Sequence, residues 1–324
     1  MAETTYAAAV AATLAAAMRA DERVVVLGED VALGGPYLTT KGLAEEFGTA
    51  RVVNTPISEA AICGVAIGAA QSGLRPVVEV MFIDFIGLAL DQLVNGAAKA
   101  HFMSGGQLCV PMVLRTQGGA GQRGAAQHSQ SLESWLTHVP GLKVVVPASA
   151  REVAALLPSA IADPNPVVVV ESKTLYFRHE TLPDEGVSPE PLGRARVLRQ
   201  GDDVTIVATS KMVHEAIEAA ARLSEDGVEA EVIDPRTLVP FDLPTVADSV
   251  RRTGRLVVAH EAVQHGGFGA EIAAEVQEAC FYDLDAPIVR VGAPFTPVPL
   301  SPSLEDAYVP GAAEILDGVR RVLG

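Results

Sequence analysis

The chain has 324 residues, 49% of them hydrophobic and only 5% aromatic, with a formal net charge of −16. That length suits two domains, because single hydrophobic cores stop growing at roughly 250–300 residues. The negative charge excludes nucleic-acid binding as a main role, since a phosphate backbone is repelled, and it favours basic partners.

Short β-branched runs alternate with longer helical patterns. The spacing predicts a helix over 6–20, a strand over 24–28 and a second strand over 51–55. A helix over 58–72 follows, then a strand over 76–82 and a helix over 87–103. Strands over 110–116, 142–147 and 167–171 flank a helix over 149–162. Several of these strands are apolar throughout, which predicts burial on both faces of a parallel α/β sheet. The segment 178–193, RHETLPDEGVSPEPLG, is rich in Pro, Gly and charge and reads as a linker. A second α/β unit follows, with strands over 204–209, 228–234, 255–260 and 288–291 and helices over 212–224, 243–252, 268–279 and 311–322. The expected organisation is a first domain over 1–180, a linker over 181–193 and a second domain over 194–324.

Three scattered cysteines, Cys63, Cys109 and Cys280, form no CxxC and point to a reducing cytoplasm. No stretch reaches the roughly 20 apolar residues of a membrane span. The N-terminal MAETTYAAAV has no basic segment ahead of an apolar core, so no signal peptide is expected.

Some motifs resemble chemistry that their context argues against. Gly119-Ala120-Gly121-Gln122-Arg123-Gly124 matches the dinucleotide spacing GxGxxG after a predicted strand. The next strand offers no acidic residue for a ribose, and AAQHSQSLESWL has no clean apolar face, so a functional loop is the better reading than nicotinamide binding. His260 and His265 are five apart and share no helix face, which argues against zinc. His101, His179 and His214 read as surface or satisfied histidines. In the helix over 58–72, Gly64 and Gly68 allow close approach of another backbone, in the core or at a subunit interface.

Four segments of the first domain carry a family resemblance. They are Asn54-Thr55-Pro56-Ile57-Ser58-Glu59-Ala60, Met81-Phe82-Ile83-Asp84-Phe85, Asp91-Gln92-Leu93-Val94-Asn95-Gly96 and Ala126-Gln127-His128-Ser129-Gln130-Ser131. In this order and spacing the chain resembles the beta subunit of the decarboxylating component of 2-oxo-acid dehydrogenase complexes, or of acetoin dehydrogenase. The resemblance implies a two-domain α/β fold. The first is a parallel-sheet domain binding the pyrimidine of thiamin diphosphate, and the second resembles the C-terminal domain of transketolase.

It also implies roles. Glu59 would share its proton with the pyrimidine nitrogen, which requires an apolar pocket; without that role it is a first-turn carboxylate favoured by the helix dipole. Phe85 would pack on the pyrimidine, with Ile57 and Met81 lining the same pocket. His128 would assist acyl transfer to lipoamide. Met112, Ala160, Ile161, Asp163 and Asn165 would hold potassium, although Asp-Pro-Asn-Pro is also an ordinary helix stop. Asp285 would lie near the surface that docks the lipoyl acyltransferase core protein.

The sequence contains no Gly-Asp-Gly motif to hold magnesium and diphosphate; Gly201-Asp202-Asp203 comes nearest. The resemblance therefore implies an alpha subunit that supplies them, in an alpha-two beta-two heterotetramer. The expected reaction is oxidative decarboxylation of a 2-oxo acid, pyruvate first, with acyl transfer to lipoamide. Acetoin cleavage is the alternative, since MFIDFIG and RTQGGAG look nearer to acetoin enzymes; branched-chain oxo acids remain open. The competing classes are a non-catalytic scaffold and a nicotinamide oxidoreductase.

Overall fold

The computed structural model describes residues 2–324. The chain divides into two compact units. The first comprises the residues up to Gly118 together with Trp135–Leu192, and the second comprises Gly119–Ser134 together with Gly193–Gly324. The division thus groups the segment 119–134 with the second unit, where the sequence placed it in the first.

The first unit begins with β1 (Ala2–Thr5) and α1 (Tyr6–Ala20), whose Thr5 hydroxyl accepts the Ala8 amide as an N-cap. Next come β2 (Val24–Gly28), α2 (Leu43–Phe47), β3 (Val52–Asn54), α3 (Glu59–Gln71) and β4 (Arg75–Phe82). A 3-10 turn (Ile83–Leu88) and a π-helical segment (Gln92–Ala97) lead into α4 (Ala98–Met103). The single helix expected over 87–103 is therefore interrupted. At Gly96 a Cβ would lie 2.9 Å from the Ile67 Cδ1, so the π segment brings this strip of backbone close against α3. β5 (Val113–Gly118) starts later than expected because Pro111 has no N–H to donate to a ladder. Then come α5 (Glu133–Thr137), β6 (Lys143–Val145), α6 (Ala150–Ala162), β7 (Val167–Ser172) and β8 (His179–Leu182). β8 falls partly in the expected linker and pairs antiparallel with β1.

The strands of the first unit lie in the order β6–β7–β5–β4–β2–β3, each neighbouring pair parallel. Chain order reverses around β2: β3 lies on one side of it and β4 on the other. In open parallel sheets the crevice beyond the carboxyl ends at such a switch is where ligands bind.

The second unit holds β9 (Arg196–Arg199), β10 (Val204–Ala208), α7 (Met212–Glu225), β11 (Ala230–Asp234), β12 (Thr237–Val239) and α8 (Leu243–Thr253). β13 (Leu256–Val263), α9 (Gly269–Cys280), β14 (Val289–Ala293), α10 (Pro302–Tyr308) and α11 (Ala312–Leu323) complete it. Its sheet runs β14–β13–β10–β11–β9, with only β9 antiparallel. No helix among the described residues is long and apolar enough to cross a membrane.

Candidate functional site

The residues expected to hold a pyrimidine gather at the carboxyl end of the first sheet. β3 ends at Asn54, whose side-chain oxygen accepts the Ala32 amide at 2.7 Å. The Thr55 amide donates to the Gly28 carbonyl at 2.9 Å, fixing the turn that delivers Glu59 to the first turn of α3. Ile57 protrudes with 74% of its surface exposed, an apolar side chain with nothing of its own chain over it. Met81 ends β4 together with Phe82, and Phe85 stands in the 3-10 turn, its ring meeting that of Phe82 edge-on at 6.2 Å. The Lys173 ammonium lies 5.3 Å over the Phe82 ring. Because α3 packs on both β4 and the 3-10 turn, Glu59, Met81 and Phe85 are carried on elements that touch.

A second carboxyl at this edge was not singled out from the sequence. Glu29 follows β2, and its carboxyl is held above the usual range by burial, then by Asp30 and Glu59. The signal for it lay in the Gly28-Glu29-Asp30 step at the end of an apolar strand. The Thr55 hydroxyl and the Gln92 side-chain oxygen are buried without a hydrogen-bond partner in the chain. Unsatisfied buried polar atoms of this kind are rare and suit a site that receives a polar ligand.

His128 lies in the loop 119–132, which belongs to the second unit, and it is exposed. The glycine motif in this loop does not open a helix: the chain runs through turns to α5. Its amides are already committed. The Gly121 amide (2.8 Å) and the Arg123 amide (3.0 Å) both donate to the carboxylate of Glu305. That disposes of the dinucleotide reading, because an internal anion occupies the donors that a pyrophosphate would need. His260 lies in β13, not on a helix, with Nδ1 bonded to the Ala262 carbonyl at 3.1 Å. Among the described residues no group of three or more His, Cys, Asp or Glu could hold a metal ion. Gly201-Asp202-Asp203 is structural: the Asp203 carboxylate accepts the Glu229 amide at 2.7 Å.

The residues implied for potassium sit at the amino end of the first sheet, opposite Glu59. The Met112 carbonyl accepts the Val167 amide at 3.0 Å, and the Ala160 carbonyl accepts the Asp163 amide at 3.3 Å. The Ile161 carbonyl accepts from the Arg75 guanidinium at 2.6 Å, and Lys143 binds the Asp163 carboxylate. Asn165 donates its backbone amide to Asp163 at 2.9 Å. Asp285 is exposed, with the Arg255 guanidinium 3.7 Å away. Four and three residues before it, Phe281 and Tyr282 are 59% and 96% exposed.

Residues 2–178 match the family described as the transketolase pyrimidine binding domain, and residues 193–315 match the transketolase C-terminal domain. The chain is 45% identical, over 99% of its length and 70% of the relative's, to the pyruvate dehydrogenase E1 component subunit beta of Rhizobium meliloti. It is 47% identical to the acetoin:2,6-dichlorophenolindophenol oxidoreductase subunit beta of Bacillus subtilis, covering 95% of this chain and 94% of that one. Among solved structures, a split-gene transketolase described as an inactive beta4 tetramer superposes with a TM-score of 0.80 at 26% identity, covering 97% and 96% of the two chains.

Proposed function

We propose, because the chain belongs to the transketolase-like family of pyruvate and acetoin dehydrogenase beta subunits, that Glu59 is the carboxyl that governs the cofactor's proton. The protein is the beta subunit of a thiamin-diphosphate-dependent dehydrogenase. It acts with an alpha subunit in the oxidative decarboxylation of a 2-oxo acid, pyruvate first, with acyl transfer to lipoamide. Acetoin is the alternative substrate, favoured by the relative that is 47% identical.

The observation that carries the reading is Glu59 in the first turn of α3 at the carboxyl end of the first sheet, two residues after the exposed Ile57, on a helix that packs against the turn bearing Phe85. The residues fit the pyrimidine end of the cofactor: a carboxyl, apolar walls and the unsatisfied oxygens of Thr55 and Gln92. When bound, thiamin diphosphate supplies the nucleophilic carbon and the electron sink. Glu59 would share a proton with the ring nitrogen at its carboxyl oxygen, and Ile57, Met81 and Phe85 would line that contact. Glu29, held above the usual carboxylate range by burial, then by Asp30 and Glu59, is a second carboxyl at the same edge. By the family resemblance His128 would assist acyl transfer to the lipoyl group.

Magnesium belongs with the diphosphate on the alpha subunit, in an alpha-two beta-two assembly. A potassium ion would share Asp163 with Lys143 and Ile161 with Arg75. The positive charge it would bring is already present, so its role would be structural support of the α6–β7 turn. Asp285, with Phe281 and Tyr282, offers a carboxylate and two rings to a basic module of the lipoyl acyltransferase core. The three free cysteines suit a cytoplasmic setting.

The test is a substrate comparison on the reconstituted alpha–beta enzyme, pyruvate against branched-chain oxo acids and acetoin, with Glu59→Ala beside the parent. The variant should assemble normally and lose about 10²–10⁴-fold in turnover, the range of a positioned proton-transfer group. Retained turnover in Glu59→Ala would remove the proton role.

A further inference from the structure

The loop bearing His128 is an improbable one to hold still. Besides Gly119 (φ +90°) and Gly121 (φ +105°), it places Arg123 at φ 60° and Ala125 at φ 57°, in the left-handed region that disfavours residues with a Cβ. Strained backbone of this kind persists only where the surroundings fix it.

The surroundings that fix it are on α10. Glu305 is fully buried. Its carboxylate accepts the Gly121 amide at 2.8 Å, the Arg123 amide at 3.0 Å and the Arg123 guanidinium at 2.7 Å. The nitrogen that binds Glu305 also donates to the Pro302 carbonyl at 3.1 Å, and the other arm of the guanidinium donates to Asp306 at 2.7 Å. One turn further on, Tyr308 joins Ala120 in a small apolar cluster with Ala293 and Val298. On the far side of the loop the Gly119 amide donates to the Gln130 carbonyl at 3.0 Å. Gly124 lies so close to His128 that a Cβ there would stand 2.7 Å from the His128 carbonyl oxygen. The restraint therefore runs from Glu305 through Arg123 and Gly124 to the backbone of His128.

We propose that Glu305 is a positioning residue for His128, acting through Arg123 and the loop between them. The inference rests on the reading of His128 as the group that serves lipoyl acylation. A buried carboxylate facing three donors is a stronger restraint than packing alone, because charge-assisted hydrogen bonds are short and directional. Glu305→Gln keeps the shape but replaces one acceptor oxygen with an NH₂ that faces donors.

The experiment uses the reconstituted alpha–beta enzyme carrying Glu305→Gln, His128→Ala or both. Glu305→Gln should lower kcat for acylation of a lipoyl domain at least about tenfold, leave turnover with 2,6-dichlorophenolindophenol within about twofold, and speed amide exchange over residues 119–130. The double variant should be no slower in acylation than His128→Ala alone, since groups acting as one unit are not additive. Should Glu305→Gln fail to assemble, Arg123→Met, altering a partly exposed side chain, carries the same expectations. Unchanged exchange over 119–130, equal loss in both assays, or additive losses in the double variant would overturn the assignment. Equal loss in both assays for His128→Ala alone would instead defeat the reading of His128 on which it rests.

Discussion

Glu133 and His260 pull the pH dependence of stability in opposite directions. Burial, with Glu261 nearby, pushes the Glu133 carboxyl up to about 7, while burial pushes His260 down to about 4. For Glu133 the folded state keeps a proton that the unfolded chain releases from about pH 4.5, so stability falls as pH rises from about 4.5 to about 7. For His260 the unfolded chain takes up a proton below about 6.5 that the folded state refuses down to about 4, so stability rises with pH across that window. Between about 4.5 and 6.5 the two slopes offset each other. Glu133→Gln removes one of them. Its stability should match the parent below about pH 4.5 and exceed it by about 3 kcal/mol above pH 7, at 1.36 kcal/mol per pKa unit. Urea unfolding of parent and variant across pH 4–8 measures this; an offset that does not vary with pH would contradict it.

At the scale of elements, the centre of the first sheet is tied by one cation. Arg115 on β5 donates to Glu171 on β7 at 2.8 and 2.7 Å and to Glu79 on β4 at 2.8 Å. All three side chains are buried, Tyr176 donates to Glu171 at 2.6 Å, and Thr39 donates to Glu79 at 3.2 Å. Burial pushes the Glu79 carboxyl up against the pull of Arg115. Arg115→Met would leave two buried carboxyls facing each other and should cost about 3–5 kcal/mol in urea unfolding. A loss under about 1 kcal/mol would mean the carboxyls neutralise without consequence. The sequence reading saw the strands but not this cluster. The three charges lie on three separate strands (RPVVEVMF, VLRTQG, VVVVES), and only the register that sets Glu79 beside Arg115 brings them together. The neighbour of β5 is β7 rather than β6, so chain order conceals the contact. The same limit explains the site. Ile57 and Glu59 were proposed from one short motif and Met81 and Phe85 from another, and the structure sets each pair on one turn or one strand end. Glu305 was not legible, because it lies 184 residues from Gly121 in a stretch, SPSLEDAY, that reads as an ordinary helix start.

For the molecule as a whole, the distribution of site residues decides how much of the cofactor this chain can grip. On the proposed reading its contribution is the Glu59 carboxyl and the apolar side chains of Ile57, Met81 and Phe85. Its sequence has no Gly-Asp-Gly motif, and on the proposed reading the magnesium that accompanies the diphosphate belongs to the alpha subunit. Most of the binding strength of such a cofactor resides in its charged end, where metal and fixed donors act together. The isolated chain should therefore bind thiamin diphosphate weakly, and addition of the alpha subunit should tighten binding at least about 100-fold, a coupling of about 2.7 kcal/mol. By linkage, the cofactor should strengthen alpha–beta association by the same factor. Calorimetric titration of the cofactor into the beta chain and into the mixture gives the first quantity, and sedimentation of the mixture with and without cofactor gives the second. Tight binding of magnesium and pyrophosphate by the beta chain alone would place both ends of the cofactor on one polypeptide, and Glu59 would then need no partner to do its work.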